Sequence, residues 1–349
     1  MTHKMESLIY KASWNVGLAS KPLPTLTSGN EVIVEVKATG VCGTDLGIIS
    51  GEYKAIRGVT LGHESSGIIS EVGSEVTDFS IGDRVVIDPT FYCGKCRFCC
   101  TNRQNHCERK GETETGVSRD GTFAKYYRTT PEFLHKIPDN LEFSAASLVE
   151  PLSCAITGVN QLKLHSDLRV VVLGGGPMGI LYSWALFSKG ITGCIVERSK
   201  PRANLVKEVL PGNRWEVHES IDSVISQYPE DSPIDIFVDT TGRLFEATMP
   251  KLARGGQFLA VGLKDFIASI NLGEYANRSL TLLGSIDSLN NSFSEALSLL
   301  SNGYFKIDRL ITHEISLKEY NKAFQILGCD LENKRMRPPE GALKVVVVP

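Results

Sequence analysis

The sequence predicts a chain of α/β plus β structure, in which a mostly antiparallel β domain is joined to an α/β domain with a parallel sheet. Short β-rich runs separated by Gly, Ser and Asp fill the stretch from Glu31 to Val86, which is typical of a small, irregular barrel. After about residue 156, continuous apolar strands alternate with helices, a pattern that indicates a parallel sheet covered on both faces. The length of 349 residues is sufficient for about two domains.

The β domain is predicted to occupy residues 1–155. Its strands are expected in EVIVEVKATGV, SSGIISEVG and DRVVI, and strand-like alternation returns in DGTFAKYYRTTPEFLHKIP before a helix opens near Ser144. A cysteine-rich lobe at residues 91–109 is expected to project from this domain.

The α/β domain is predicted to occupy residues 156–290. LRVVVLGGG is expected to be a strand, PMGILYSWALFSKG a helix and GCIVERS a second strand, with further strands in DIFVDTTG and GGQFLAVGL. The uncharged run from Val170 to Ser188 is long enough for a membrane span, but three consecutive glycines and Pro177 interrupt it. Residues 291–349 hold two more helices, SFSEALSLLSNG and LKEYNKAFQIL, and a last strand, LKVVVV.

The composition restricts the classes of partner. A net charge of -3 gives no electrostatic signature of binding to nucleic acid or to an anionic membrane. Nine cysteines without a signal peptide in MTHKMESLIYKASWN argue against a disulfide framework. We therefore expect a soluble protein in a reducing, cytoplasmic compartment.

Four cysteines lie close together in FYCGKCRFCCTNRQNHC: Cys93, Cys96, Cys99 and Cys107. Pairs of cysteines two residues apart let a tight turn direct both sulfurs at one zinc ion, and four thiolates close its tetrahedral shell. A closed shell cannot bind substrate, so this zinc is predicted to be structural. A nucleic-acid-binding zinc ribbon is the alternative, but the nearby Lys and Arg residues are few and are not interleaved with aromatic residues.

A second metal site is predicted from Cys42 in VCGTD together with His63 and Glu64 in LGHESSG. A thiolate, an imidazole and a carboxylate hold catalytic zinc with one position left open. Glu150 in VEPLSC is a fourth candidate ligand. A solitary His or Cys is more often a packed core residue, and it is the combination with the four-cysteine lobe that favours a metal site.

A glycine-rich hexamer, GGGPMG, follows one predicted strand and opens the next predicted helix. Its glycines permit a tight turn, close approach of the backbone to a pyrophosphate, and close helix packing, as in a Rossmann dinucleotide site. Amides at the helix N-terminus would face the phosphates. The predicted cofactor-binding residues of this loop are Gly174, Gly176, Pro177, Met178 and Gly179.

Glu197 stands at the end of the next predicted strand. A carboxylate at this position can accept hydrogen bonds from both hydroxyls of the adenosine ribose, and it repels a 2′-phosphate, so NAD is favoured. Arg198 and Arg202 leave NADP as an alternative, because either guanidinium could pair with that phosphate.

These motifs, with DGTFAKY, EPL and the terminal KVVVVP, occur in the order seen in zinc-dependent medium-chain alcohol dehydrogenases. The resemblance covers essentially the whole chain and is strongest to the polyol branch, the sorbitol and xylitol dehydrogenases, with threonine and archaeal glucose dehydrogenases close behind. It implies a GroES-like catalytic domain formed by both chain ends, 1–155 and 291–349. A Rossmann domain would be inserted between them, with the active site in the cleft.

The family resemblance also implies roles for individual residues. Cys42 and His63 would be ligands of a catalytic zinc, and Glu64 or Glu150 would complete the shell or hold the zinc-bound water. Cys154 is a rival ligand one helical turn after Glu150, although we expect it to be a small buried thiol instead. Thr44 would carry the proton of the alcohol. The residues given catalytic roles are thus Thr44, Glu64 and Glu150. A second zinc ion is expected in the four-cysteine lobe.

Two positions depart from the family pattern, because Gly47 and Thr157 stand where many relatives carry histidine. The outer half of the proton relay and the particular substrate are therefore left open. The resemblance implies reversible NAD(P)-linked oxidation of a secondary alcohol of a polyol, sugar or cyclitol, by a homodimer or homotetramer. Amino-alcohol oxidation, a non-catalytic scaffold and the zinc-free quinone reductase branch are the alternatives, and the last lacks the Cys-His-Glu set.

Overall fold

The fold is described from a computed structural model, which describes residues 4–228, 234–264, 266–289, 291–339 and 341–349. The chain divides into two compact units. The first holds the chain up to Glu150 together with Leu289–Asn302 and Ile311–Pro349, and the second holds Pro151–Ser288 and Gly303–Leu310.

The strands follow one another along the chain as β1 (Lys4–Ala12), β2 (Asn15–Pro22), β3 (Val32–Gly40), β4 (Glu64–Val72), β5 (Arg84–Ile87), β6 (Tyr126–Thr129), β7 (Leu134–Lys136), β8 (Val170–Leu173), β9 (Gly193–Val196), β10 (Trp215–His218), β11 (Ile234–Asp239), β12 (Leu252–Ala260), β13 (Thr281–Gly284), β14 (Ile311–Ser316), β15 (Cys329–Asp330), β16 (Arg335–Met336) and β17 (Lys344–Val348).

The α-helices are α1 (Gly43–Ser50), α2 (Lys110–Thr113), α3 (Phe143–Ala146), α4 (Val149–Val159), α5 (Pro177–Ser188), α6 (Lys200–Val209), α7 (Ile221–Ile225), α8 (Phe245–Thr248), α9 (Leu272–Asn277), α10 (Ser292–Ser301), α11 (Ile307–Leu310) and α12 (Tyr320–Ile326).

The first unit is built on a sheet with the strand order β14-β17-β3-β4-β5-β7, and β6 also pairs with β3. All these pairings are antiparallel except that of β14 with β17. Apolar side chains from β3, β4 and β5 form one buried cluster that includes Val34, Ile69 and Val85. The predicted mostly antiparallel β structure is confirmed, and it brings the last strand of the chain beside the third.

The second unit is built on a parallel sheet with the strand order β10-β9-β8-β11-β12-β13. Strand β8, with the sequence VVVL, is buried along its whole length, as expected for a parallel sheet with both faces covered. The strand order reverses between β8 and β11. In a doubly wound sheet, ligands bind beyond the carboxyl ends of the strands at such a reversal.

The uncharged run from Val170 to Ser188 forms β8 and α5, as predicted, and it crosses from strand to helix at the glycine loop. Across the ranges that the structure describes, no helix has both the length and the apolar character that a bilayer crossing requires.

Candidate active site and cofactor loop

Cys42, His63 and Glu64 lie together in the first unit. Helix α1 begins directly after Cys42, and β4 begins directly after His63. The ligand atoms of the three side chains all lie within 4.8 Å of one another. Gly62 precedes His63 with a φ of 89°, which permits the turn that directs the imidazole toward Cys42. The structure thus brings together the three residues predicted for the open metal site.

Asp45 fastens the two loops that carry these residues. Its buried carboxylate accepts a hydrogen bond from the Cys42 backbone N–H at 2.9 Å and another from the Gly62 N–H at 3.1 Å. Burial raises the pKa of Asp45, and the charge of His63 opposes that rise. Asp45 therefore caps the start of α1 and also acts electrostatically on the imidazole.

The donor set suits a divalent cation. Burial alone would lower the pKa of His63, but the Cys42 thiolate, Asp45 and Glu150 together raise it well above its ordinary value. A bound cation would replace the proton that these negative charges favour on His63, because a metal-bound imidazole must be neutral. The chemistry of the residues fits a zinc ion.

Two other predicted catalytic residues belong to the surroundings of this cluster. The Thr44 hydroxyl oxygen lies 3.6 Å from the Cys42 sulfur. Glu150, in the first turn of α4, acts electrostatically on His63. Among the residues that the structure describes, Glu150 is not a member of the set whose ligand atoms lie within 4.8 Å of one another.

Lys344, the first residue of β17, was not predicted from the sequence. Its ammonium forms an ion pair with the Glu64 carboxylate, and the two side chains are 3% and 2% exposed. Burial opposes the charge of Lys344, but Glu64, Cys42 and Glu150 outweigh it and raise its pKa. The signal that could have revealed it is a lysine in the otherwise apolar run LKVVVV.

The four cysteines of the lobe form a second cluster, with all four sulfurs within 4.8 Å of one another. The Cys93 and Cys99 sulfurs are 3.9 Å apart, and those of Cys96 and Cys99 are 3.4 Å apart. Zinc with Zn–S bonds of about 2.3 Å in a tetrahedral shell requires sulfur–sulfur distances of about 3.8 Å. The spacing therefore fits a four-thiolate zinc shell.

The protonation of the lobe agrees with this spacing. Hydrogen bonds from backbone amides lower the pKa of Cys96 to about 6, while burial raises the pKa of Cys99 to about 12. A cation bound between these sulfurs would displace the remaining thiol protons. Backbone amides also donate to Cys93 and Cys107, at 3.4 Å each, from Cys96 and Arg109.

The glycine loop lies in the second unit, between β8 and α5. Gly174 has a φ of 99°, and a Cβ there would lie 2.8 Å from the Thr240 hydroxyl. A Cβ on Gly176 would have no heavy atom within 4 Å. Pro177 occupies the start of α5, where a missing N–H costs nothing. The open side of Gly176 at this helix N-terminus fits a pyrophosphate.

Glu197 follows β9 and is 5% exposed. Its carboxylate accepts hydrogen bonds from the backbone N–H of Gly175 at 3.0 Å and of Ser199 at 2.8 Å, and Arg202 lies 3.4 Å away. Because a carboxylate has about four acceptor positions, fewer remain for ribose hydroxyls than the sequence suggested. Arg198 is exposed, and Met178 is half-buried in the first turn of α5.

The segment after β11 was also not predicted to take part in the site. It contacts the glycine loop at the strand reversal, where Thr240 lies against Leu173 and Gly174. Asp239 accepts hydrogen bonds from the Thr241 N–H and hydroxyl at 2.8 and 2.6 Å. The Thr240 hydroxyl donates to the Leu173 carbonyl at 2.8 Å. The polar run DTTG directly after an apolar strand is the signal that could have identified this segment.

Comparison with known proteins agrees with this geometry. Residues 28–139 match the family "Alcohol dehydrogenase GroES-like domain", and residues 144–330 match "Glucose dehydrogenase C-terminus". The sorbitol dehydrogenase of Halalkalibacterium halodurans is 32% identical, over 88% of this chain and 91% of that protein. The chain belongs to the zinc-dependent medium-chain alcohol dehydrogenases.

Two further relatives of this medium-chain dehydrogenase extend the comparison. D-xylulose reductase A of Aspergillus oryzae is 29% identical, over 91% of this chain and 92% of that protein. A zinc-binding dehydrogenase from Sinorhizobium meliloti, solved with NADP, superposes with a TM-score of 0.87 at 28% identity, over 99% of this chain and 100% of that one. The chain is an NAD(P)-dependent alcohol dehydrogenase of the polyol branch, and it uses zinc and a nicotinamide cofactor.

Proposed function

We propose that this dehydrogenase reversibly oxidises a secondary alcohol of a polyol, sugar or cyclitol to the ketone, with a catalytic zinc held by Cys42 and His63. The observation that carries the proposal is the cluster of Cys42, His63 and Glu64 within 4.8 Å, with the Thr44 hydroxyl beside it. The sorbitol dehydrogenase and D-xylulose reductase among its relatives support a polyol as the substrate.

The chemistry divides between the bound groups and the chain. When bound, zinc lowers the pKa of the substrate hydroxyl and the nicotinamide accepts hydride. Thr44 takes the hydroxyl proton at its Oγ1 and passes it outward. Asp45 keeps the Cys42 and Gly62 loops together, so that the His63 ring keeps its orientation. Gly47 provides no imidazole, so the proton leaves through water or another side chain.

A substrate screen tests the proposal. The purified enzyme is given polyols, sugars, cyclitols and amino alcohols with NAD or NADP, and the absorbance of the reduced cofactor is followed. We expect polyols, sugars or cyclitols to have the highest kcat/KM, and Cys42→Ser, which removes a metal ligand, to be inactive on the same panel. Reduction of the cofactor with amino alcohols alone would contradict the proposed substrate class. Reduction of the cofactor by Cys42→Ser at the wild-type rate would contradict the proposed zinc site.

We propose two zinc ions per chain, the second held by Cys93, Cys96, Cys99 and Cys107. The sulfur spacing of that lobe and the separate Cys42 cluster support this number. The lobe at 91–109 would belong to a catalytic domain of residues 1–155 and 291–349, while residues 156–290 would bind the dinucleotide. The nine free cysteines support a reducing compartment, which we propose to be the cytoplasm.

NAD is the proposed cofactor. The Glu197 carboxylate lies next to Gly175 of the phosphate loop, and Arg202 is already paired with that carboxylate. A 2′-phosphate would therefore meet a negative charge whose cation is engaged. Comparison of kcat/KM with NAD and with NADP on the same alcohol tests this choice. A preference for NADP, the cofactor bound to the Sinorhizobium meliloti protein, would refute it.

We propose a homo-oligomer in which β13 pairs with the same strand of a second copy. In the described chain β13 lies at one end of the parallel sheet and pairs with β12 alone. Exposed apolar side chains lie on β13 itself, with Leu282 at 42%, and in the segment that precedes it in the chain, with Ile267 at 90% and Leu272 at 74%. An edge strand is a template for pairing with another strand, and antiparallel pairing of identical strands suits a two-fold axis.

Light scattering on the purified protein tests this surface. Leu282→Lys, within β13, should shift the mass toward the monomer, because it places like charges across the two-fold axis. Ile81→Lys is the matched control, since Ile81 is also exposed but belongs to the other unit. A wild type that is already monomeric, or a Leu282→Lys variant with unchanged mass, would contradict the proposal.

A further inference from the structure

The buried ion pair of Lys344 and Glu64 is assembled by the sheet of the first unit. In the register of β3 and β4, Gly40 faces Glu64, and in the register of β17 and β3 the same glycine faces Val346. The first residue of β17 is thereby brought to the start of β4. Lysine is almost never fully buried without a partner. The pairing of these strands supplies Glu64 as the partner of Lys344.

Gly40 leaves the space that the two side chains occupy. A Cβ at this position would overlap the Glu64 carboxylate and lie 2.8 Å from Cε of Lys344. The carboxylate that Lys344 holds is also one of the three candidate ligand groups of the Cys42, His63 and Glu64 cluster. The ammonium and a bound cation would thus both act on the Glu64 carboxylate.

The charges around this position nearly balance when a dication is bound. Cys42, Glu64 and Glu150 contribute three negative charges, and each of them acts on Lys344. A zinc ion and one ammonium contribute three positive charges. The Asp45 carboxylate adds a fourth negative charge, which acts on His63 and accepts hydrogen bonds from two backbone amides.

We propose that Lys344 is a positioning residue of the catalytic zinc site, which holds the Glu64 carboxylate beside the metal and offsets one of the negative charges around it. This inference rests on the proposed function of the site. Without the ammonium, the Glu64 carboxylate would turn to the cation and close the position that the substrate needs. The site would also carry one more negative charge, which would retain a cation more strongly.

Charge variants separate this role from a merely structural one, because they change metal affinity in opposite directions. Lys344→Met keeps a long unbranched chain and should bind the metal more tightly than wild type, while turnover falls about 10- to 100-fold. Glu64→Gln should bind it more weakly. The double variant should return to about the wild-type affinity, and Lys344→Arg should keep most of the turnover. A loosened fold would instead weaken metal binding in every variant.

The experiment measures Co²⁺ affinity by competition with a chelator, the visible absorption of the Co²⁺ enzyme, and kcat and KM on one alcohol from the screen. Lys37→Met is the matched control, because Lys37 forms a 2.9 Å ion pair with Glu35 elsewhere in the same sheet. We expect Lys344→Met to change the Co²⁺ spectrum and Lys37→Met to leave it unchanged.

Three results would overturn the proposal. These are a Lys344→Met enzyme with wild-type affinity, spectrum and turnover, a Lys344→Met enzyme that loses metal as Glu64→Gln does, and a Glu64→Gln enzyme with unchanged affinity. If Lys344→Met does not fold, the metal affinities of Glu64→Gln and of the double variant decide. The double variant should then bind the metal more tightly than Glu64→Gln, and equal or weaker binding would overturn the proposal. Failure of the wild type to bind metal at Cys42 and His63 would instead refute the proposed function.

Discussion

Substitution of Gly40 by alanine tests how tightly the sheet confines the ion pair of Lys344 and Glu64. The added methyl group would lie 2.8 Å from Cε of Lys344 and closer still to the Glu64 carboxylate. An ordinary contact begins at 3.4 Å, and both side chains are buried, so neither can move into solvent. The methyl group must therefore displace the ion pair or the strands.

The size of the effect follows from these contacts. Overpacking in a filled core costs about 1–3 kcal/mol, and breaking a buried ion pair costs about 3–5 kcal/mol. We expect a partial displacement to cost about 2–4 kcal/mol. At about 2–4 °C per kcal/mol for a protein unit of this size, Gly40→Ala should lower the Tm by roughly 4–16 °C.

Differential scanning calorimetry measures the change, with Gly111→Ala as the control. A Cβ on Gly111, in α2, would meet nothing within 4 Å, and alanine favours a helix by about 1 kcal/mol over glycine. The control should therefore keep or slightly raise the Tm. A Gly40→Ala protein that melts within about 1 °C of wild type would refute the reasoning, because the confined space would then not exist.

Three further predictions concern the chemistry. Thr44→Val keeps the shape and removes the hydroxyl, so turnover should fall about 10²- to 10⁴-fold with zinc content unchanged; near-normal turnover, when a deuterium isotope effect shows hydride transfer to limit the rate, would remove Thr44 from the mechanism. Gly47 has room for a Cβ, which would lie 3.5 Å from Cβ of Tyr53, and Gly47→His should raise kcat or shift its pH profile; an unchanged profile would contradict a relay through this position. Glu197→Ala removes the charge that repels a 2′-phosphate, so the ratio of kcat/KM with NAD to kcat/KM with NADP should fall about tenfold or more. An unchanged ratio would show that other residues determine the choice of cofactor.

The parts of the site that the sequence could predict are those whose residues lie within one short stretch of chain. The cysteines of the lobe and the glycine loop are local, because a turn of a few residues determines where their ligand atoms point. The alternation of strands and helices likewise indicated the parallel sheet. The β1–β2 hairpin was missed, since its strands were not recognised in the N-terminal residues.

Contacts between distant segments could not be predicted in the same way. Lys344 and Glu64 meet because β17 pairs with β3, and nothing local to LKVVVV indicates that neighbour. Glu197 is a similar case, because the sequence placed a carboxylate at the strand end without showing that Gly175, Ser199 and Arg202 already engage it. Tertiary packing, rather than local preference, determines these partners.

The most direct test of the account is the zinc content of the protein purified without added metal. Elemental analysis should give about two zinc ions per chain for the wild type, and about one for each of Cys42→Ser and Cys96→Ser, because each substitution removes a ligand from a different cluster. Only Cys42→Ser should abolish alcohol oxidation outright. A wild type with less than one zinc per chain, or a Cys42→Ser protein that keeps two zinc ions and its activity, would contradict it.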